Sequence, residues 1–451
     1  MALALLSLGV VLPTTAAAEV IHATPGTYED ALRNLAPGDT LSLASGVYSD
    51  GLKLHGISGL PGSPVVIEGP GNGEDPALFL AKKGHNTVSM ANAAFLTLRN
   101  LTLDGRKLPV DAVKAEGTSH FAHHIVLDHL TIRNYDNNQQ NVGISTKCPA
   151  WAWTIRGNTI DGAGTGIYLG NSDGSAPFIG GVIERNVIRN TIGYNMEIKH
   201  QKPRPSVDGM PTVPQETIIR RNTFSKSNGG STGHLARPNV LVGDFPESGA
   251  GQFDRYLIYG NFFYQNSTEA LFQGSGRLAV YSNLFVNTTP KGMAIRLTPH
   301  KGRLRYFEVF HNTIVATGRG IGAWSAESDG RHWIGANAIF AGRPLDGVYD
   351  ADWNVTGEVQ TAERFLTAPF APLSRLDLRP RGKGLTDSSV PGGALVDYPG
   401  AAMDFAGNQW KSGVAGAYAG PGESLDWTPS EDSAPPLARK SDKRDSSGER
   451  Q

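Results

Sequence analysis

Apolar and polar residues alternate one by one in short runs through most of the chain. In 195–199, Met196 and Ile198 are expected to point one way and Asn195, Glu197 and Lys199 the other. The runs GlyIleTyrLeu at 166–169 and AlaIleArgLeu at 294–297 repeat that beat. A period of two marks a β-strand with one face in a core. One phrase, Asn-x-apolar, recurs along these strands, at Asn100, Asn158, Asn186, Asn222, Asn261, Asn283, Asn312 and Asn337. From Asn158 onward it recurs every 20–40 residues or so, and that period, with Gly turns and no helical periodicity, predicts a parallel β-solenoid. A propeller needs four strands per repeat, and the spacing leaves room for two or three. Asparagine suits the bend, because it tolerates left-handed backbone and its amide can bond neighbouring backbone or a stacked amide.

The two ends depart from this pattern. Residues 2–12 form a short apolar run, followed by Pro13 and then Ala16, Ala17 and Ala18. This predicts a signal peptide over 1–18 and a periplasmic or secreted protein. No later run approaches the ~20 apolar residues of a membrane-crossing helix, so no membrane partner is expected. Residues 27–35 read as one amphipathic helix, which would cap the open end of the solenoid and cover its unpaired backbone groups. The solenoid is expected to fill 19–418. The remainder, 419–451, has little to bury and reads as a disordered tail.

Composition narrows the partners. The 41 Lys+Arg against 42 Asp+Glu leave a net charge of −1, so no global field draws the chain to nucleic acid or an anionic membrane. The 39% apolar and 18% charged residues suit a globular protein, and a monomer is expected. The lone Cys148 can form neither an internal disulfide nor a cysteine zinc site, and is expected to be buried. Locally the balance differs. Between Tyr194 and Val240, Lys199, Lys202, Arg204, Arg220, Arg221, Lys226 and Arg237 face only Glu197, Asp208 and Glu216, a basic patch suited to a polyanion. Two insertions, the proline-rich 201–217 and 243–254, are expected to build walls beside it.

The phrases at 35–48, 62–69 and 403–418 resemble the first and last coils of right-handed parallel β-helix polysaccharide lyases. One stretch is similar, more narrowly, to the chondroitinase-B and alginate-lyase group, polysaccharide lyase family six. That group carries acidic residues and a Lys on one strand and an Arg about one coil later. Glu197-Ile198-Lys199 and Arg237 hold similar relative places here, with Asn195 near the place of a second acidic ligand. The resemblance implies an all-β, right-handed parallel β-helix and a lyase that cleaves a uronate-containing acidic polysaccharide by β-elimination. It also implies Lys199 as base, Arg237 assisting as acid, and calcium held by Glu197 and Asn195.

The residues themselves admit that chemistry. β-Elimination of a uronate needs neutralisation of the carboxylate, a base for the C5 proton and an acid for the leaving O4. A Lys among cations has a lowered pKa and can serve as base, and an Arg suits the carboxylate. His200 and His234 are alternative bases, although His200 should point inward unless its strand ends first. Arg204, between two prolines, and Lys202 are candidate substrate clamps, and Glu269 and Gln273, two coils beyond Lys199, would extend a groove. The plainer readings are that Glu197 merely pairs with Lys199 and that Arg220, Arg221 and Lys226 are solvated charges on another face. Two other functions remain open, a uronate C5-epimerase and a non-catalytic carbohydrate-binding β-helix.

Overall fold

The computed structural model describes residues 17–71, 73–116, 121–327, 330–386, 389–410, 413–420 and 427–437. Of the expected signal segment 1–18, all but Ala17 and Ala18 lie outside the described residues. Nearly every strand pairs in parallel with the strand one coil later, so the chain is a parallel β-helix. Among the described residues its strands form sheets of 15 and 21 strands and one antiparallel pair. The larger sheet is creased lengthwise. Strand Thr313–Ala323 pairs with Leu284–Asn287 through its first half and with Met293–Leu297 through its second. The solenoid therefore has three ladders, one per face.

Alternation fills the interior. On the third ladder, Ile144, Ile167, Met196, Val240, Phe272, Ile295 and Ile321 stand in register on successive coils, and all are fully buried. Phe224, Phe263 and Phe285 stack likewise from the second ladder. Each such side chain contributes roughly 1.5–3 kcal/mol by leaving water.

The recurrent asparagine forms a continuous buried ladder at the corner between the first and second faces. Asn158, Asn186, Asn222, Asn261, Asn283, Asn312 and Asn337 each take the next member's Oδ1 with both backbone N–H and side-chain amide, the series ending at the half-buried Asn354. The left-handed backbone falls one residue earlier, at Gly157, Arg185, Arg221, Gly260, Ser282, His311, Ala336 and Trp353. Asn100 occupies that earlier position, with φ 58°, so it is a bend residue and not a rung of the ladder. Asn354, in AsnValThr, extends the ladder by one coil beyond the phrase read from the sequence.

Both ends differ from expectation in extent. The helix read over 27–35 spans Tyr28–Leu32, with Tyr28 and Leu32 buried, and Tyr28 meets the ring stack of Tyr48 and Phe79. The segment read as a disordered tail, 419–451, is ordered against the solenoid over part of its length. Trp427 packs on Phe262 and Phe405, Asp432 pairs with Arg189, and Glu431 accepts from the hydroxyls of Ser225 and Ser227. Pro429 and Pro435 are buried there as well, and Thr223 Oγ1 and Arg189 Nη1 donate to the carbonyls of Ser433 and Glu431. Cys148 is buried, as expected. No described helix is long and apolar enough to cross a membrane.

Candidate active site

The outward residues of the third ladder line a cleft of about 740 Å³. In register along it stand Lys114, Ser145, Tyr168, Glu197, Leu241, Gln273 and Arg296, each one coil from the next. At the strand ends the next outward position carries Lys147 and Lys199, two coils apart, with Gly170 on the coil between them. Gly170 has φ +96°, and a Cβ there would lie 3.3 Å from that of Lys199, so the glycine leaves the space between the lysines open. The lining holds Lys114, Lys147, Lys199, Arg237, Arg296 and Lys301 against Asp111, Glu197 and Glu269. The net charge of this wall is positive in a chain of net −1.

The centre is a buried ion pair. Lys199 Nζ donates to Glu197 Oε1 at 2.7 Å, with side chains 11% and 3% exposed. Burial raises the Glu197 carboxyl above the usual range, and the ammonium groups of Lys199 and Lys147 and the Arg237 guanidinium pull it back. Lys147 Nζ lies 3.4 Å from the centroid of the Tyr168 ring, and Lys199 Nζ 5.6 Å from the same centroid. Burial pushes the Tyr168 hydroxyl up to about 12, so it remains a proton-bearing donor at neutral pH.

Arg237 enters from the opposite rim, just after the short turn of helix Gly233–Leu235. Its Nη1 donates to the carbonyls of His234 at 2.9 Å and Ala236 at 2.7 Å, and its guanidinium lies 5.8 Å from the Tyr194 ring. Its own carbonyl accepts from Lys226 Nζ and Asn266 Nδ2, both at 2.9 Å. His234, Glu269 and Gln273 line the same cleft, and Glu269 pairs with Arg296 at 3.4 Å. So do His300 and Lys301, and burial together with Lys199 and Lys301 lowers the pKa of His300.

Other expected site residues lie elsewhere. Asn195 is buried in the turn before its strand, its amide donating to Thr191 Oγ1 and the Ser225 carbonyl. Its Oδ1 is buried without a hydrogen-bond partner among the described residues, and Asn195 is not part of the cleft lining. The strand ends at Ile198, so His200 points neither into the core nor into the cleft. It packs beside Gly174, on the turn after the next-lower coil. Arg204 is not a clamp, because its guanidinium is engaged by Asp254 of the second insertion and by the carbonyls of Pro211 and Val213 in its own loop. Lys202 is exposed outside the cleft lining. The insertion 201–217 bonds to the second insertion through Arg204 and Gln215, and its Met210 packs on Trp151 and Ile179. It therefore walls the first ladder, not the site. Of the seven cations between Tyr194 and Val240, only Lys199 and Arg237 reach the cleft. Arg220 pairs with Glu184, Arg221 donates to the Phe405 carbonyl, and Lys226 is buried beneath Arg237.

Lys147, Tyr168, Tyr194, Lys114, Arg296, His300 and Lys301 escaped the sequence reading. One signal for Lys147 was present: IleSerThrLys at 144–147 has the same phase as MetGluIleLys at 196–199. Of the two residues expected to hold calcium, Glu197 is paired with Lys199 and Asn195 lies outside the cleft lining, so together they make a poor donor set for the ion. Among the described residues no group of three or more His, Cys, Asp or Glu is arranged to hold a metal ion.

No protein-family model matches this sequence, and a comparison with curated proteins finds no match. Solved structures do show likenesses. The PL6 family alginate lyase AlyGC is 13% identical with a TM-score of 0.49, the match covering 74% of this chain and 50% of that one. This chain thus spans half the length of that lyase. A GH136 lacto-N-biosidase from Eubacterium ramulus is 13% identical with a TM-score of 0.47, covering 75% and 68%. The pectate lyase Pel9A is 10% identical with a TM-score of 0.45, covering 88% and 97%. In its course the chain is distantly similar to parallel β-helix polysaccharide lyases.

Proposed function

We propose that this protein binds a uronate-containing acidic polysaccharide along the cleft and cleaves it by β-elimination. The observation that carries this reading is the row of cations around the buried Glu197–Lys199 pair, with a second lysine on the same face. A uronate carboxylate brought there meets Arg237, whose fixed charge neutralises it and makes the C5 proton more acidic. The two amines of Lys199 and Lys147 and the hydroxyl of Tyr168 supply the groups that move protons. Lys114 at one end and Arg296 and Lys301 at the other offer charges to further uronates of the chain. Such an enzyme works in the periplasm or outside the cell, the destination that the apolar run at 2–12 predicts.

The test is ultraviolet absorbance of the new C4–C5 double bond while purified protein is incubated with alginate, glycosaminoglycans, glucuronans and pectins. A rise in absorbance supports the reading. Solvent deuterium entering C5 without cleavage would make the protein an epimerase, and binding without either would make it a carbohydrate-binding β-helix. Because Glu197 is already paired with Lys199, a chelator is expected to leave the rate unchanged. A loss on chelation that calcium restores would show that the cleft recruits the ion with other ligands.

A further inference from the structure

Of the four lysines that line the cleft, the two at the strand ends, Lys147 and Lys199, have different surroundings. Lys199 Nζ donates to Glu197 Oε1 at 2.7 Å. Lys147 has no carboxylate within ion-pair distance among the described residues. Its Nζ has the face of Tyr168 on one side and the Gly170 carbonyl 3.4 Å away. We propose, on the footing of the elimination above, that Lys147 is the proton acceptor of the reaction and Lys199 its proton donor. This exchanges the role that the family resemblance gives Lys199. The pairing logic is general: where two titratable groups share a site and their surroundings separate them, one serves as base and the other as acid.

Burial is the main reason that Lys147 can be neutral. It lowers the pKa to about 8, helped by the charges of Lys114 and Lys199 and opposed by Asp111 and Glu197. In the step itself, neutral Nζ of Lys147 takes the C5 proton. The C–H pair first stays on C5 as a carbanion delocalised into the carboxylate; it then becomes the C4–C5 π bond as the C4–O4 bond breaks with its pair on O4, and O4 takes a proton from the Lys199 ammonium. Solvent then returns the proton to Lys199 and removes one from Lys147. Because the acceptor must be unprotonated, the rate is expected to climb about tenfold per pH unit below pH 8 and to level above it.

The experiment compares wild type, Lys147→Met and Lys199→Met in three assays. These are cleavage, solvent-deuterium exchange at C5 of the polymer that wild type turns over, and pH-resolved labelling of each lysine by an amine-reactive reagent without substrate. Lys147→Met is expected to lose cleavage and exchange together, by 10²-fold or more. Lys199→Met is expected to lose cleavage while exchange persists, since the carbanion still forms and only the leaving group lacks its proton. In wild type, Lys147 should reach half-maximal labelling near pH 8, well below the ordinary lysine value of about 10.4. Persistent exchange in Lys147→Met, or ordinary labelling of Lys147, overturns the assignment alone. A wild type that neither cleaves nor exchanges removes the proposed reaction and this assignment with it.

Discussion

Asn222→Ala is expected to lower the stability of the β-helix by about 3–5 kcal/mol. The side chain sits in the middle of the asparagine ladder and is fully buried. Its amide donates to the Ile183 carbonyl at 2.9 Å and to Asn261 Oδ1 at 3.0 Å, and its Oδ1 accepts both the backbone N–H and the amide of Asn186. Alanine removes the acceptor of the Asn186 backbone N–H and the amide that serves the Ile183 carbonyl, while the Asn186 amide keeps the Ile155 carbonyl and Asn261 Oδ1 keeps the Asn222 backbone N–H; in a space closed to water each orphaned group costs roughly 1–3 kcal/mol. The Arg220 carbonyl, on the other side of the left-handed Arg221, also loses the Asn222 amide at 3.0 Å. Denaturant unfolding followed by far-ultraviolet circular dichroism reads the shift, with the m-value checking that the transition keeps its character. Asn100→Ala is the control. Asn100 occupies the bend and makes no rung, so its loss should cost no more than about 1–2 kcal/mol, the left-handed preference alone. Equal losses at the two positions would mean that the ladder amides add nothing beyond conformational tolerance.

Those two asparagines also show how far the sequence could be read. The phrase itself was visible, and so were the solenoid and the alternation that puts Met196 and Ile198 inside and Glu197 and Lys199 in the cleft. What the letters do not carry is one register step: Asn100 and Asn158 look alike, yet one takes the bend and the other the ladder. The same limit governs the site. In a β-helix, neighbours on a face are a coil apart, so the basic wall is assembled from Lys114, Lys147, Lys199 and Arg296, spread over the chain. Counting charges in one window found Lys199 and Arg237 but swept in Arg204, Arg220, Arg221 and Lys226, whose partners are structural. Composition misled at the tail for a related reason. A segment with few apolar residues can still be held when the surface beneath it is already complementary, as Arg189 and Ser225 are to Asp432 and Glu431.

Arg237→Ala should reduce kcat by 10²–10³-fold in the proposed elimination, with a smaller change in KM. The guanidinium is positioned before any substrate arrives. One terminal nitrogen is tied to the carbonyls of His234 and Ala236, the plane approaches Tyr194, and Lys226 and Asn266 fix the backbone carbonyl of the same residue. A charge held this way costs little reorganisation when negative charge builds on the carboxylate and C5, which is why its effect belongs mainly to the transition state. Lysine should not restore the rate. Its compact ammonium offers no planar fork to a carboxylate, and it cannot keep both carbonyl contacts while also reaching into the cleft. Steady-state kinetics on the polymer that wild type cleaves separate the two parameters. A variant whose KM rises while kcat holds would make Arg237 a residue of ground-state binding, serving the polymer's charge and not the proton transfer. In that case Arg296 and Lys301, further along the same face, would be its equals, and removing any one of the three should weaken binding by similar factors.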